Sequence, residues 1–282
     1  MSDPAKVNLV GFDYWNSDAG RQWVAQQELI DSFLVPVTNA TISVARPQPG
    51  ERIVDVGCGT GTTVFQLADC VGPSGHVTGI DISAPMLDWA RQRLKADRRT
   101  NVSFVEADAT SHAFAPASVD LMFSRFGVMF FDDPVKAFAN MRTALKPGGR
   151  MVFVCFRAMP ESSWFRLPIE AARPHLPALP PVDPEAPGGH TFAQRARLEG
   201  ILPQAGYRDV TMTAHDVPVG AGSVERALTY HTRVGPIARL MNAGSVEQRA
   251  QAEAAMRKAL EGNIGTDGNA LTLGVWMVGA RA

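Results

Sequence analysis

The sequence predicts an α/β protein with a Rossmann-like, seven-stranded sheet, helices on both faces of the sheet and a helical cap. Two observations carry this prediction. Between residues 52 and 156, short apolar runs typical of buried strands alternate with segments whose apolar residues recur at helical spacing. The first of these runs is followed at once by a glycine-rich turn and the start of a helix. Alternating strands and helices imply a parallel sheet with right-handed crossovers.

Each core element has its own local signal. Strands are expected at 52–56, 76–80, 102–106, 119–124 and 151–156. The intervening helices are expected to begin near Thr60, after Ser83 as the N-cap, and at Asp133-Pro134. A later helix carries Leu198, Ile201, Leu202 and Ala205 and is stopped by Gly206. A sixth strand is expected near 208–214, and an apolar closing strand from Leu271 to Ala280.

Three stretches lie outside this core pattern. Residues 12–46 read helical, and Pro36 is expected to kink or divide them. Residues 160–187 hold eight of the twenty prolines, which predicts a short helix followed by an irregular cover, and residues 220–265 predict two or three helices. The predicted organisation is an N-terminal helical arm (1–46), a core (47–157), a cap insertion (158–192), a core helix and strand (193–219), a helical cap insertion (220–265) and a closing strand (266–282).

The turn after the first strand contains residues that indicate a ligand-binding site. Gly57, Gly59 and Gly61 allow backbone to approach a ligand where a Cβ would collide. Asp81 ends the second apolar run, about 20 residues on, where a carboxylate can accept from both hydroxyls of a ribose. A dinucleotide site has the spacing G-x-G-x-x-G, whereas here position 62 is Thr and the third glycine comes one residue early. This spacing argues against an NAD-dependent oxidoreductase.

The run Asp55-Val56-Gly57-Cys58-Gly59-Thr60-Gly61-Thr62 resembles motif I of the class I S-adenosylmethionine (SAM) dependent methyltransferases. Four further motifs resemble the family's in order: Gly79-Ile80-Asp81-Ile82-Ser83, Val105-Glu106-Ala107-Asp108-Ala109, Ser118-Val119-Asp120-Leu121-Met122-Phe123-Ser124 and Leu145-Lys146-Pro147-Gly148-Gly149-Arg150. The resemblance spans roughly residues 50–156. Residues 14–156 are similar to the bacterial small-molecule group near the ubiquinone/menaquinone C-methyltransferases. The resemblance implies the strand order 3-2-1-4-5-7-6, with strand seven antiparallel.

The resemblance also implies a SAM site built from these motifs. Asp81 would hold the ribose, while Ile82 and Met86 would lie on the two faces of the adenine. Asp108 would take the adenine amino group, and the amide of Ala109 would reach a ring nitrogen. The other residues expected to line the site are Asp55, Gly57, Cys58, Gly59, Gly61, Ser124, Phe126 and, from the arm, Trp15, whose aromatic face suits a sulfonium.

No residue is identified as catalytic. Arg125 follows the fourth strand, where it either contacts substrate or forms an ion pair. His231, in the cap, is either a neutral surface histidine or a general base. The six histidines and three cysteines show no metal-ligand or paired spacing, so no metal is expected.

The composition limits the classes of partner that the protein is expected to bind. The net charge of −1, from 27 basic and 28 acidic residues, offers no electrostatic footprint for nucleic acid or an anionic membrane. No apolar run approaches the ~20 residues of a membrane span, and the polar N-terminus lacks a signal-peptide pattern, so a cytoplasmic protein is expected. The acceptor is expected to be a small apolar or aromatic molecule, and a homodimer is left open.

The expected function is therefore methyl transfer from SAM (EC 2.1.1 class), with S-adenosylhomocysteine (SAH) as the product. The accepting atom, O, C or N, is not resolved. The alternative is a module that binds SAM or SAH without transferase activity.

Overall fold

The computed structural model describes residues 11–178, 186–234, 237–264 and 271–282. Several sequence predictions fall outside these ranges. They are the first ten residues of the arm, the proline-rich residues 179–185 and the predicted boundary at 265–266. The proposed domain limits stay a prediction.

The described strands form one seven-stranded sheet in the order β3-β2-β1-β4-β5-β7-β6, as predicted. They are β1 (Arg52–Val56), β2 (His76–Asp81), β3 (Val102–Glu106), β4 (Val119–Arg125), β5 (Leu145–Phe156), β6 (Arg208–Pro218) and β7 (Thr272–Arg281). β7 is antiparallel to both β5 and β6, and the other neighbouring pairs are parallel. The carboxyl ends of β1, β2, β3 and β4 therefore share one edge of the sheet, which we call the carboxyl edge.

Helices cover both faces of this sheet. They are α1 (Phe12–Trp15), α2 (Asp18–Ala25), α3 (Gln27–Ala45), α4 (Thr62–Val71), α5 (Ala84–Asp97), α6 (Pro134–Ala144), α7 (Ser163–Ala172), α8 (Arg195–Gln204), α9 (Val224–Arg233), α10 (Ile237–Ala243) and α11 (Val246–Glu261), with 3-10 turns at Gly127–Phe130, Met159–Glu161 and Arg173–His175. None of the helices in the described ranges is both long and apolar enough to cross a bilayer.

Two strands are longer than predicted because their partners continue alongside them. β6 extends to Pro218, which pairs with Thr272 of β7. β5 begins at Leu145, which pairs with Val119 before the register shifts and Arg150 pairs with Leu121. The lengths of these strands are therefore set by pairing rather than by their own apolar pattern.

Helix α3 runs through Pro36 without a break, so this proline does not divide the helix, and the alternative, a kink, stays a prediction. A proline inside a helix removes one backbone hydrogen bond. Phe33, Leu34 and Val37, on the same helix, are buried in the apolar cluster that also contains sheet residues. Their burial holds the helix together, and the breaks in the arm fall earlier, after Trp15 and at Gln26.

The cap consists of α7, α9, α10 and α11, which gives three helices in the second insertion, as predicted. Buried side chains of all four helices belong to one apolar cluster with α3 and with Val154 and Val275 of the sheet. Trp164 of α7 lies inside this cluster, with Phe33 of α3 at a ring distance of 5.0 Å. The cap is thus packed directly on the sheet.

Candidate functional site

The glycine turn after β1 is held in shape by close backbone contacts. Its glycines all have positive φ: 69° at Gly57, 53° at Gly59 and 85° at Gly61. A Cβ at Gly57 would lie 2.5 Å from the Cα of Gly127, and one at Gly61 would lie 2.8 Å from the ring of Phe104. These two positions need glycine because the protein itself fills the space beside them.

Gly59 is different, because the space beside it is open. Apart from its two chain neighbours, the only atom of the described residues within 4 Å of a Cβ there is Sδ of Met86, at 3.4 Å. Met86 itself is buried. Gly59 and Met86 thus lie next to each other at the carboxyl edge, and their contact with one ligand stays a prediction.

Asp81, at the end of β2, is fixed to the same turn. Its Oδ2 accepts a 2.7 Å hydrogen bond from the amide of Gly59, and its Oδ1 accepts one of 2.9 Å from the amide of Ser83. Burial raises the pKa of this carboxyl, against the lowering effect of the two amides. Each carboxylate oxygen can accept a further hydrogen bond, so Asp81 can still receive two hydroxyls.

Asp55, in β1, is fully buried beneath the turn. Its Oδ2 accepts a hydrogen bond from the hydroxyl of Thr63, while Oδ1 has no partner among the described residues. Burial raises the pKa of Asp55 to about 7. An unpartnered buried oxygen is costly, and a donor on a bound ligand would relieve that cost.

Cys58 contributes only backbone to the edge. Its side chain is buried behind the turn, where a Cβ at Gly79 would lie 2.7 Å from its Sγ. The amides of Gly57 and Cys58 both donate to the carbonyl of Ile80, which ties the turn to β2. Burial raises the pKa of Cys58 well above its usual value, so the thiol is neutral.

The loop after β3 is organised by hydrogen bonds around Asp108. The Asp108 carboxylate is exposed and accepts a 2.8 Å bond from the amide of Thr110. Ala109 is buried, and its carbonyl accepts from the side chain of Asn140 on α6. Asn140 also binds the carbonyl of His112, so it holds the loop from both sides. The sequence did not identify Asn140.

The loop after β4 lies against the glycine turn. The hydroxyl of Ser124 donates to the carbonyl of Val56 at 2.7 Å and accepts from the amide of Gly127, so this buried side chain joins β4 to β1. A Cβ at Gly127 would lie 2.4 Å from the carbonyl oxygen of Val56. Phe126 has a positive φ of 67° and stacks on Phe156 of β5, with ring centroids 4.1 Å apart. Phe126 is thus placed at the edge, whereas Ser124 is used in holding two strands together.

The arm is docked on the loop after β2. Asn16 donates to the carbonyl of Ile82 and accepts from the amide of Ala84, both at 2.9 Å. Ser83 occupies the N-cap position of α5, but its hydroxyl donates to the carbonyl of Trp15 instead of capping the helix. Ser83 is therefore the N-cap residue, as predicted, but the side chain that bonds the first amide of α5 is that of Asn16.

Trp15 is the centre of an aromatic group that joins the arm to the loop after β4. Its ring makes edge contacts with Tyr14, Trp23 and Phe130, with centroids 5.1, 5.8 and 5.3 Å away. Phe130 belongs to the 3-10 turn that follows β4. The arm thereby reaches across from β2 to β4 along the carboxyl edge.

Arg125 takes part in a network that the sequence did not reveal. It donates to the hydroxyl of Thr38 at 2.9 Å and pairs with Asp31 at 3.5 Å, and both charged side chains are largely buried. Asp31 also accepts from Gln27 and from the hydroxyl of Thr62, the first residue of α4. Arg125 therefore forms the ion pair that was one of its two predicted roles.

His231 is fully buried, so the prediction of a surface histidine was wrong. Its ring packs 4.5 Å from Trp164 and 5.2 Å from Tyr230, because α9 turns this face into the cap. Burial lowers its pKa to about 3. Neither ring nitrogen has a hydrogen-bond partner in the described part of the chain.

Two open depressions, of about 380 and 450 Å³, lie beside α4 and the end of α5. Their walls include Phe65 and Arg93 in one and Asp69 and Asn101 in the other. Neither depression is lined by the glycine turn or by Asp81. No group of three or more metal-ligating side chains occurs within the described ranges.

Part of this chain is similar in sequence to a known family. Residues 53–149 match the family described as "Methyltransferase domain". Aklanonic acid methyltransferase DauC of Streptomyces sp. (strain C5) is 36% identical over 128 residues, 45% of this chain and 58% of that protein. Demethylmenaquinone methyltransferase of Lactococcus lactis is 36% identical over 105 residues, 37% of this chain and 42% of that protein. The chain thus spans about half the length of the curated relatives it matches.

Solved structures share the fold over more of the chain. Phosphoethanolamine N-methyltransferase 2 of Haemonchus contortus, in complex with S-adenosyl-L-methionine, has a TM-score of 0.62 at 20% identity, over 96% of this chain and 60% of that one. The [4+2]-cyclase SpnF has a TM-score of 0.55 at 20% identity, over 87% of this chain and 80% of that one. At such identities the likeness is one of fold. The chain therefore has the fold of a methyltransferase solved with S-adenosyl-L-methionine, and its residues 53–149 are similar in sequence to a methyltransferase domain.

Proposed function

We propose that this chain transfers a methyl group from SAM to a small-molecule acceptor. The observation that carries the proposal is the joined pair of Gly59 and Asp81. The open space beside Gly59 gives room for a ligand, and the carboxylate anchored to its amide keeps free acceptor positions next to that space. This pair lies within the segment that matches the methyltransferase domain.

The residues present fit this cofactor. Asp81 offers acceptors for two ribose hydroxyls, and the unpartnered Oδ1 of Asp55 offers one more beneath the turn. Met86 supplies a buried, polarizable surface beside Gly59. We propose that Ile82, Asp108 and the amide of Ala109 complete the adenine site.

When bound, SAM supplies a methyl group carried on a positively charged sulfur. The chain's own residues would then align the acceptor and exclude water, and alignment alone can account for about 7–11 kcal/mol of a barrier. The aromatic group of Trp15, Trp23 and Phe130 is suited to lie beside a sulfonium, through the attraction between a cation and a ring face. The proposed transfer uses no metal, because the methyl group is itself electrophilic.

The identity of the acceptor has less direct support than that of the cofactor. The names of the two relatives give aklanonic acid and demethylmenaquinone as their substrates. The apolar cap over the sheet favours a small, apolar or aromatic acceptor for this chain as well. We further propose an activity in the EC 2.1.1 class and a cytoplasmic location, with no nucleic-acid partner. A homodimer is compatible with this proposal.

A SAM- or SAH-binding protein without transferase activity is the second candidate. It is favoured by one observation: SpnF, which shares this fold, is described as a [4+2]-cyclase. The fold therefore accommodates more than one chemistry.

Calorimetry with SAM, SAH and NAD, followed by transfer of a labelled methyl group to aklanonic acid and to demethylmenaquinone, tests the proposal. We expect SAM and SAH to bind, NAD not to bind, and label to enter an acceptor. Failure to bind SAM would overturn the proposal. Binding of SAM with no transfer to either acceptor would favour the second candidate.

A further inference from the structure

We propose that the acceptor is a planar phenol and that His190 removes the proton from the hydroxyl that receives the methyl group. This inference rests on the proposed function, since it concerns the acceptor side of the same reaction. It draws on the position of His190, the state of its Nε2 and the shape of the surface beside it.

His190 is linked to the glycine turn by an unbroken series of contacts. Gly127 packs on Gly57. The residue before Gly127, Phe126, stacks on Phe156. His190 in turn stacks on Phe156, at a centroid distance of 5.9 Å. The imidazole therefore lies at the end of β5, beside the residue that follows β4, at the carboxyl edge where open α/β sheets bind ligands.

The loop that carries His190 is fixed to this edge. The amide of Gly188 donates a 3.0 Å hydrogen bond to the carbonyl of Met129, in the 3-10 turn after β4. That same turn carries Phe130, which contacts Trp15 of the arm. The arm and the His190 loop thus both contact the 3-10 turn after β4.

Nε2 of His190 is in the state that a base requires. It is buried and has no hydrogen-bond partner among the described residues. Burial lowers the pKa of the ring, so the imidazole is neutral at pH 7. The groups packed on it are Phe156 from β5 and Phe165 from α7, which carry no charge. The nearest charged residues along these two elements are already paired: Arg157 with Glu161 and Asp216, and Arg166 with Glu170.

The surrounding rings form a stack. Phe126 and Phe156 are 18° from parallel, and Phe156 and His190 are 27° from parallel. Phe165 meets this stack edge-on, at 89° to Phe156. A planar aromatic acceptor can extend such a stack, which an aliphatic chain cannot do, because flat rings stack with an offset on one another.

A phenol also matches the charges at this edge. A carboxylate acceptor is already ionised at pH 7 and calls for a cation instead of a base. The cation at the tip of β4, Arg125, is paired with Asp31. A phenol, with a pKa of about 10, gives up its proton to an imidazole more readily than an aliphatic alcohol does.

The proposed step transfers one methyl group and one proton. The phenol oxygen forms the new bond to the methyl carbon, and the carbon–sulfur bond breaks with its electron pair going to sulfur. The hydroxyl proton passes to Nε2 of His190, which later releases it to water. The products are the methyl ether and neutral SAH, with the positive charge carried away as the proton.

His231, the other buried histidine without partners, is less suited to this role. Its ring contacts are Trp164 and Tyr230, both in the cap. Its described ring contacts include no residue at the tips of β4 and β5. The geometry therefore favours His190.

The test uses 2-hydroxyanthraquinone, a planar phenol whose visible absorption shifts when it ionises. The variants are His190→Gln, His190→Phe, which keeps a ring on Phe156, and His215→Gln as a matched control on the edge strand β6. Binding of SAH is measured first by calorimetry, so that loss of the cofactor site is recognised separately as a failure of the proposed function. Binding of the probe to the SAH complex and methylation of the probe with SAM are then compared.

We expect the wild type and His215→Gln to bind and methylate the probe. Both His190 variants should bind SAH within about threefold of the wild type but methylate at least 100-fold more slowly. The wild-type rate should fall in acid as Nε2 gains a proton, and this fall should vanish in both variants, leaving only the rise that follows ionisation of the phenol. The probe bound to the wild-type SAH complex should also show the absorption of the ionised form at a lower pH than in His190→Phe. Retained methylation in either folded His190 variant would overturn the role of His190, and a wild type that binds SAH but not the probe would overturn the acceptor class.

Discussion

The amide of Gly59 and the carboxylate of Asp81 are joined by a 2.7 Å hydrogen bond between the turn after β1 and the end of β2. The second oxygen of Asp81 accepts from the amide of Ser83, so the acid positions both the turn and the start of α5. A residue expected to hold the ribose thus also shapes the surface on which the cofactor would rest. Its replacement should therefore affect both binding and stability.

We expect Asp81→Ala to weaken SAM binding by about 2–4 kcal/mol, because charge-assisted bonds to two hydroxyls are lost. Calorimetry measures the change. Glu106→Ala is the matched control, because Glu106 pairs with Asp81 in the register of β2 and β3 and its side chain is exposed. An unchanged dissociation constant for Asp81→Ala would remove this residue from the site.

Gly127→Ala should destabilise the protein by about 1–3 kcal/mol and abolish SAM binding. Its Cβ would lie 2.4 Å from the carbonyl oxygen of Val56 and 2.7 Å from the Cα of Gly57, and backbone atoms cannot swing aside as a side chain can. The control is Gly200→Ala in α8, where a Cβ meets only Nε2 of Gln204 at 3.9 Å. The same chemical change should there raise stability by about 0.5–1 kcal/mol. Thermal unfolding that is equal for both variants would contradict the close contact at Gly127.

Asn16→Ala should release the arm from the loop after β2. It removes hydrogen bonds to Ile82 and Ala84, which together are worth about 1–3 kcal/mol. Hydrogen exchange at the amides of α2 should accelerate, and SAM affinity should fall if the arm covers the cofactor. Asn263→Ala, which loses a bond to Ala259 at the end of α11, serves as the control. Unchanged exchange in α2 would show that Asn16 does not hold the arm.

Asp55→Asn should change how stability depends on pH. Burial raises the pKa of Asp55 from 3.8 to about 7, so in the apoprotein the folded state keeps the proton longer than the unfolded state does. Its contribution is therefore present below pH 4 and is lost as the pH rises from about 4 to about 7. Asparagine, which does not titrate, should match the wild type near pH 4 and exceed it by up to about 4 kcal/mol at pH 7.

The comparison is made between the two proteins because His231 acts in the opposite direction. Its pKa is lowered by burial, so its contribution is gained as the pH rises, equally in both proteins. Denaturant unfolding at several pH values measures the difference. A difference that stays constant from pH 4 to pH 7 would show that Asp55 ionises normally.

Much of the core and the cofactor turn could be predicted because their signals are local. The spacing of Gly57, Gly59 and Gly61 after an apolar run fixes a turn, and Asp133-Pro134 does begin α6, with the carboxylate accepting from the amide of Lys136. Antiparallel β7 was predicted through resemblance to a family and not through its residues. Pro36 shows the limit of a local rule, because tertiary packing overrides it.

What the sequence by itself determined is the order of the core elements, the glycine turn and the acid that ends β2, because backbone conformation and strand burial depend on neighbouring residues. What only the tertiary structure decided is which distant residues meet at the carboxyl edge. Asn16 reaches Ile82 across 66 positions of the chain, Arg125 reaches Asp31 across 94, and His190 stacks on Phe156 from a loop outside the core. Such contacts depend on how the arm and the cap pack on the sheet, and no periodicity within either segment encodes that packing.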